Sequence, residues 1–311
     1  MTSTEPRATE PQATALPATA LPSTGRALVL GPGGYAGTAW TAGLVAGLRE
    51  AGIDLADADL IVGTSGGAIV GALLATGQDP RRLADPLPAD ALPAGPTRAT
   101  APRRPDPALT GAVHAVLGDR TLTPQEARRR VGRLALDAAD PHDPRTHEAQ
   151  QTLLAHRRAL IGADTWPRRR LLLTAVQAET GEPAVWDRTS GVPLVHAVAA
   201  SSAFPGVEPP VAVDGHHYLD GALRAGVNAD LATGARTLVV IAPLAHRFPR
   251  EELDRQLAAT GAPITIAVTP DPASITALDA PPHDPTTWPT AYLAGHRQAT
   301  HTAPHLHPTW P

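Results

Sequence analysis

The chain has no cysteine and no lysine. Without cysteine there is no disulfide framework, no thiolate nucleophile and no cysteine-ligated metal, a composition that suits a reducing compartment. Without lysine every basic side chain is an arginine, a usage that goes with the abundant alanine and proline and reads as a coding bias. Aromatic residues make up 3% and the formal net charge is -4. Base-stacking platforms and a basic footprint are both missing, so nucleic-acid binding is not expected. No run approaches the ~20 apolar residues of a membrane span, so any contact with lipid is expected to be peripheral. Residues 1–24 are mostly Thr, Pro and Ala with Glu5, Arg7 and Glu10 and lack an apolar h-region. They are expected to form a disordered tail rather than a signal peptide, with the protein in the cytoplasm.

What is present is 311 residues, 42% apolar and 18% charged, enough for one large domain or two small ones. The regular pattern runs from residue 25 to about 305, as expected for a single domain. Residues 27–30 read as a short buried strand, 31–37 as a glycine-rich loop and 38–51 as a helix through Trp40, Leu44, Val45 and Leu48. A second strand over 59–62 follows. Strand, loop, helix, strand is a parallel start with right-handed crossovers and implies an α/β sheet with helices on both faces. Residues 77–107 are dense in Pro and Arg and read as a long loop or lid. Helices are expected over 124–139, capped by Thr123, and over 147–161, with a small one over 192–200 and a closing one near 290–300. Strands are expected over 171–178, 184–186, 237–242 and 264–268.

The chemistry centres on Gly63-Thr64-Ser65-Gly66-Gly67, between the apolar Leu60-Ile61-Val62 and the small-residue stretch 68–74. A serine on a strand-to-helix corner needs glycine two before and two after it, because strand and helix approach too closely there for side chains. The first turn of the following helix aims N–H groups and a positive dipole end at any developing oxyanion, which makes Gly66 a candidate donor. Ser65 is therefore the candidate nucleophile.

A nucleophilic serine also requires an oxyanion stabiliser and a base. Gly31-Pro32-Gly33-Gly34-Tyr35-Ala36-Gly37 stands at the carboxyl end of the first strand, where ligands bind in open α/β sheets. Gly33 and Gly34 are expected at positive φ, turning consecutive N–H groups toward one point. A nucleotide phosphate loop is the rival, but a strict G-x-G-x-x-G is absent and no Walker lysine exists. For the base, two Asp-Gly pairs bracket 214–221. Asp214-Gly215 lies between two extended runs and reads as a tight hairpin turn. Asp220 ends the second run just before Gly221-Ala222, where a carboxylate can emerge beside the serine. A Ser/His/Asp triad would instead call on one of His196, His216, His217, His246 or His296. The remaining histidines do not converge on a metal site, and neither a metal nor a cofactor is expected.

In this order, a glycine-rich loop, Gly-Thr-Ser-Gly-Gly and a late Asp-Gly-Ala resemble the three blocks of the patatin-like phospholipases, closest to the bacterial members, over about residues 26–242. The resemblance implies a three-layer α/β/α sandwich with a mainly parallel sheet, and acyl-ester hydrolysis by a serine/aspartate dyad without histidine. It makes Ser65 the nucleophile and Asp220 the base, with Gly33, Gly34 and Gly66 as oxyanion donors. Gly31, Gly37, Gly63, Gly67 and Gly221 support the motifs. Two departures stand out. Pro32 occupies the place of the tract's first glycine and removes an N–H, and Ala36 stands where a basic residue would be, which weakens the case for a phospholipid headgroup. The expected partner is a lipid or other acyl-ester substrate. An acyltransferase or thioesterase using the same acyl-enzyme, and a non-catalytic interaction protein on the same fold, are the alternatives.

Overall fold

Alternate residues of the first strand point to opposite sides of a sheet, and each side is covered. Leu28 and Leu30 join the larger apolar core, while Ala27 and Val29 join a second one. The computed structural model describes residues 25–85, 105–140, 142–279 and 284–310. In chain order the elements are β1 (Arg26–Leu30), α1 (Gly34–Glu50), β2 (Leu60–Gly63), α2 (Gly66–Ala75), α3 (Pro107–Gly118), α4 (Pro124–Ala138) and α5 (Pro144–Ile161). Then come β3 (Arg170–Gln177), β4 (Pro183–Trp186), α6 (Leu194–Ser201), β5 (Val211–Val213), β6 (His216–Asp220) and α7 (Ala222–Ala225). The chain closes with β7 (Thr237–Ile241), α8 (Arg250–Ala258), β8 (Ile264–Val268), α9 (Pro272–Leu278) and α10 (Trp288–Leu306).

The strands form one sheet in the order β5-β6-β3-β2-β1-β7-β8, with β4 also paired to β3. From β3 to β8 the neighbours are parallel, whereas β4, β6 and β5 pair antiparallel. Residues of α1, α2, α5, α6, α9 and α10 fill the larger core on one face. The other face packs against α8 on the parallel half and against α3, α4 and α7 on the antiparallel half. The result is the expected three-layer α/β/α sandwich with a mainly parallel sheet.

Helix starts follow a recurrent local rule. Asp106, Thr123, Asp143 and Asp271 each cap a first turn whose opening residue is proline, so the side-chain oxygen satisfies free N–H groups while proline fixes a helical φ. Thr123 and Glu126 complete a reciprocal capping box. Four helices, α3, α7, α8 and α9, go beyond the elements expected from the sequence, and each fully buries only one or two residues.

Two boundaries differ from expectation in ways that touch the site. The helix after β1 begins at Gly34, because the Gly37 N–H donates to the Gly33 carbonyl at 2.9 Å and closes a helical turn inside the glycine-rich segment. The segment over 77–107 is also less of a loop than its composition implies. Residues Pro80–Leu83 form a 3-10 turn with Leu83 buried, and the Trp288 indole N–H donates to the Leu83 carbonyl at 2.8 Å. Its middle, residues 86–104, and the N-terminal segment 1–24 lie outside the described residues.

Candidate active site

The serine corner is built by crowding. A Cβ on Gly63 would come within 2.7 Å of the Ala68 Cα, and one on Gly67 would overlap the Leu30 carbonyl, so β1, β2 and α2 meet with no room for side chains. Ser65 pays for this packing with φ 55 and ψ -122, a backbone that non-glycine residues reach only when the surroundings impose it. Its N–H donates to Ser201 Oγ on α6 at 3.1 Å. The hydroxyl is thereby turned to the outer end of the sheet, where it donates to Asp220 Oδ2 at 2.8 Å.

Asp220 arrives from the antiparallel half. It ends β6, opposite Ala175 of β3, and its Oδ1 accepts the Ala222 N–H at 2.8 Å. A Cβ on Gly221 would overlap Thr174, so the glycine lets the chain turn hard against β3. Behind the pair lies a buried polar knot. Asn228, at φ 59, donates its side-chain amide to Thr64 Oγ1 at 2.9 Å, to the Gly221 carbonyl at 3.1 Å and to the Gly226 carbonyl at 3.2 Å. Thr64 and Thr174 hydroxyls lie 3.2 Å apart. This knot ties the serine corner to the aspartate corner.

The carboxyl of Asp220 is 1% exposed. Burial pushes its pKa up to about 7, opposed by the Ala222 N–H, the Ser65 hydroxyl and the charge of Arg157. A carboxylate that titrates near neutrality is suited to take a proton and return it.

Gly34 and Gly66 open α1 and α2. Their N–H groups belong to first turns, which lack intrahelical acceptors and carry the positive dipole end. A Cβ on Gly66 would overlap Thr38 Oγ1 of α1, so the two helix starts meet beside Ser65. Gly34 has the expected positive φ of 59. Gly33 does not, at φ -149. Its glycine answers a steric demand instead, since a Cβ there would lie 2.7 Å from the Gly37 carbonyl carbon. Gly31 donates its N–H to the Ile241 carbonyl at 2.9 Å, and Gly37 faces Pro243.

A narrow cleft of about 30 Å³ opens beside the pair, lined by Asp220 and Gly66 together with Gly34, Tyr35, Arg157 and Glu208, with Ser65 itself outside the lining. Arg157, absent from the sequence-derived candidates, is 4% exposed. It donates from Nε to Ser202 Oγ at 2.8 Å and from Nη2 to Glu208 Oε1 at 3.0 Å. Its one legible sign was position, as a charge in the stripe Leu153, Leu154, Leu160 and Ile161 that faces the core. Ser201, Asn228 and Glu208 carried no comparable sign.

Among the described residues no histidine hydrogen-bonds to Ser65 or Asp220. His217 pairs with Glu179 at 2.8 Å and His296 with Glu50 at 2.9 Å, both away from the cleft. His216 is exposed at the far end of β6. His196 leaves its Nδ1 without a partner, and His246 lies beside the Pro243 backbone. Among the described residues no group of three His, Asp or Glu side chains gathers that could hold a metal ion, and no helix is long and apolar enough to cross a membrane.

A family model described as patatin-like phospholipase matches residues 28–233. Among solved structures the chain is similar to VipD from Legionella pneumophila, at 12% identity and a TM-score of 0.46, covering 92% of this chain and 68% of that one. It is similar to the type III effector protein ExoU at 18% identity and a TM-score of 0.36, covering 93% of this chain and 54% of that one. It also matches a structure of full-length SpcU in complex with full-length ExoU from Pseudomonas aeruginosa, at 17% identity and a TM-score of 0.37, covering 94% and 53%. The chain spans about half the length of the chains in these last two structures. No curated protein matches.

Proposed function

The chain belongs to the patatin-like phospholipase family, which implies lipid acyl hydrolysis, and from that premise we propose that it cleaves acyl esters through a Ser65/Asp220 dyad and an acyl-enzyme. The observation that carries the reading is the 2.8 Å hydrogen bond from the Ser65 hydroxyl to a buried carboxyl group that lines a cleft.

In the first half-reaction Ser65 Oγ attacks the acyl carbon as its proton passes to Asp220 Oδ2. The carbonyl oxygen becomes an oxyanion facing the N–H groups of Gly33, Gly34 and Gly66, where two helix starts supply fixed positive potential. Collapse breaks the ester bond, Asp220 returns the proton to the departing alkoxide, and an alcohol leaves. In the second half-reaction a water loses its proton to Asp220 while its oxygen attacks the acyl-enzyme. Collapse frees the carboxylic acid and restores the Ser65 hydroxyl. Asp220 serves as base and acid in turn, for which titration near neutrality is well matched.

The test is turnover of p-nitrophenyl esters across chain lengths, together with labelling by a fluorophosphonate. Ser65→Ala is expected to abolish turnover, and the label is expected on Ser65 alone. Full activity in Ser65→Ala, or labelling of another serine, overturns the assignment. An added acceptor alcohol that diverts the acyl group from water would place the enzyme among the acyltransferases.

A further inference from the structure

The carboxyl end of α6 touches both corners of the site. Ser201 is the last residue of that helix and is fully buried. Its hydroxyl oxygen accepts the Ser65 N–H at 3.1 Å, and its carbonyl accepts the Gly221 N–H at 3.1 Å. Two residues on, the Ala203 carbonyl accepts the Asp220 N–H at 3.1 Å. The last carbonyls of a helix lack intrahelical donors, and here that need is met by docking the end of β6. Between the two, Ser202 turns its hydroxyl back onto the Val198 carbonyl at 2.9 Å and accepts from Arg157 Nε at 2.8 Å, which ties the same helix end to α5.

The contacts to the two corners differ in kind. Asp220 and Gly221 are held through backbone carbonyls, which any residue at 201 or 203 would supply. Ser65 is held through a side chain, so the contact depends on a short acceptor at 201. That bond falls on a residue at φ 55, a backbone that persists only where the surroundings over-determine it. It also commits the Ser65 amide to α6 and away from any reacting oxygen.

We propose that Ser201 is a positioning residue for the nucleophile: its hydroxyl pins the strained Ser65 backbone to the helix end that also holds Asp220 and Gly221, and so keeps Ser65 Oγ in register with the carboxyl group that takes its proton. This rests on the reading of Ser65 and Asp220 as nucleophile and base. Ser201 does not line the cleft and transfers no proton. Its effect is on how often Ser65 Oγ and Asp220 Oδ2 lie at bonding distance.

The test is the rate of fluorophosphonate labelling of Ser65, counted per folded molecule of the full chain, together with kcat and KM for a p-nitrophenyl ester. Ser201→Ala should lower labelling and kcat by about ten- to a hundredfold, the range for a small misplacement of reacting groups, and leave KM within about twofold. Ser274→Ala removes another buried hydroxyl, bonded to Gln298 at 2.8 Å on α9 and outside the site, and should leave labelling within about twofold. In an Asp220→Asn background there is no base to align with, so Ser201→Ala should there change labelling by no more than about threefold. Equal losses in both backgrounds, a loss carried by KM, or a matching loss in Ser274→Ala would each mark a structural role and overturn the proposal, as would parental labelling in Ser201→Ala. If Ser201→Ala does not fold, Ser201→Cys, which keeps the volume and weakens the acceptor, is judged by the same comparisons. Asp220→Asn alone separates the two readings. If it labels at the parental rate, the base assignment itself has failed. If it loses labelling while Ser201→Ala keeps it, only the role of Ser201 has failed.

Discussion

Two Asp-Gly pairs stand at the two ends of one strand, and the same dipeptide does different work at each. At the start of β6, Asp214 is exposed with φ 49, followed by Gly215 at φ 81. Both residues are left-handed, the geometry of a type I′ turn whose twist matches that of the paired strands. At the other end Asp220 is buried, with both oxygens engaged by Ser65 and Ala222. The glycine of the first pair serves the backbone of its own turn. Gly221 serves a neighbour, because β3 leaves no space for a Cβ. A dipeptide therefore carries little meaning until its surroundings decide whether it meets water or a serine.

The largest expected effect sets the two aspartates against each other in activity. Asp220→Asn should lower acylation by about 10²- to 10⁴-fold, the usual cost of losing a general base, while Asp214→Asn should leave it near the parental rate. Single replacement of His196, His216, His217, His246 or His296 by Gln should keep turnover within about tenfold. Burst kinetics with a p-nitrophenyl ester read all of these. A histidine as indispensable as Ser65 would require a triad and would break the comparison.

Stability should respond to the same substitution in the opposite sense. A carboxyl whose pKa rises from 3.8 unfolded to about 7 folded favours the native state while protonated in both, below about pH 4, and that benefit is lost as pH rises through the folded value. Ionised and buried, Asp220 costs the fold on the order of 4 kcal/mol. Asp220→Asn should therefore be more stable than the parent at about pH 9 and similar to it at about pH 4, as measured by urea unfolding. An inactive variant with no gain at high pH would show that the buried carboxylate is not strained. Such a gain would mark a site that trades stability for function.

Much of this was legible because backbone crowding leaves a sequence trace. Gly63, Gly66 and Gly67 bracket Ser65 because α2, α1 and β1 abut them, and short continuous apolar runs announced the buried parallel strands. Side-chain wiring leaves less. Asn228, Ser201 and Glu208 each reach the site from an element whose own pattern gives no reason to single it out. Arg157 was partly visible, as a charge where the helix needs an apolar residue. The helices α3 and α9 were also within reach, since Asp106-Pro107 and Asp271-Pro272 repeat the start signal that identifies α4 at Thr123-Pro124. Gly33 shows the opposite limit. Its glycine was evident, but whether it serves a positive φ or a close approach depends on where Gly37 lies.

A smaller effect is expected in the knot that joins the two corners. Asn228→Ala withdraws a donor from Thr64, Gly221 and Gly226, which should cost about 1–3 kcal/mol for buried groups left unpaired. It should also loosen the alignment of Asp220 with Ser65. Because Asn228 sits at φ 59, Asn228→Gly is the control, removing the same amide without backbone strain. If alanine and glycine lose equally, the amide matters most. If glycine is neutral, the knot holds a turn and nothing else.

The smallest effect belongs to the hairpin, and it separates backbone from carboxylate most cleanly. Asp214 is exposed, and none of its side-chain contacts reaches the cleft. Its requirement is a left-handed backbone, which asparagine meets as well as aspartate does, so Asp214→Asn should change stability by less than about 0.5 kcal/mol. Asp214→Val places a β-branched residue at positive φ and should cost about 1–2 kcal/mol. Neither should alter fluorophosphonate labelling of Ser65 by more than the change in folded fraction. At position 220 the order inverts: asparagine preserves shape and abolishes the chemistry. A loss of activity in Asp214→Asn with unchanged stability would mean that the hairpin charge is felt at the site, and the two Asp-Gly pairs could no longer be treated as independent.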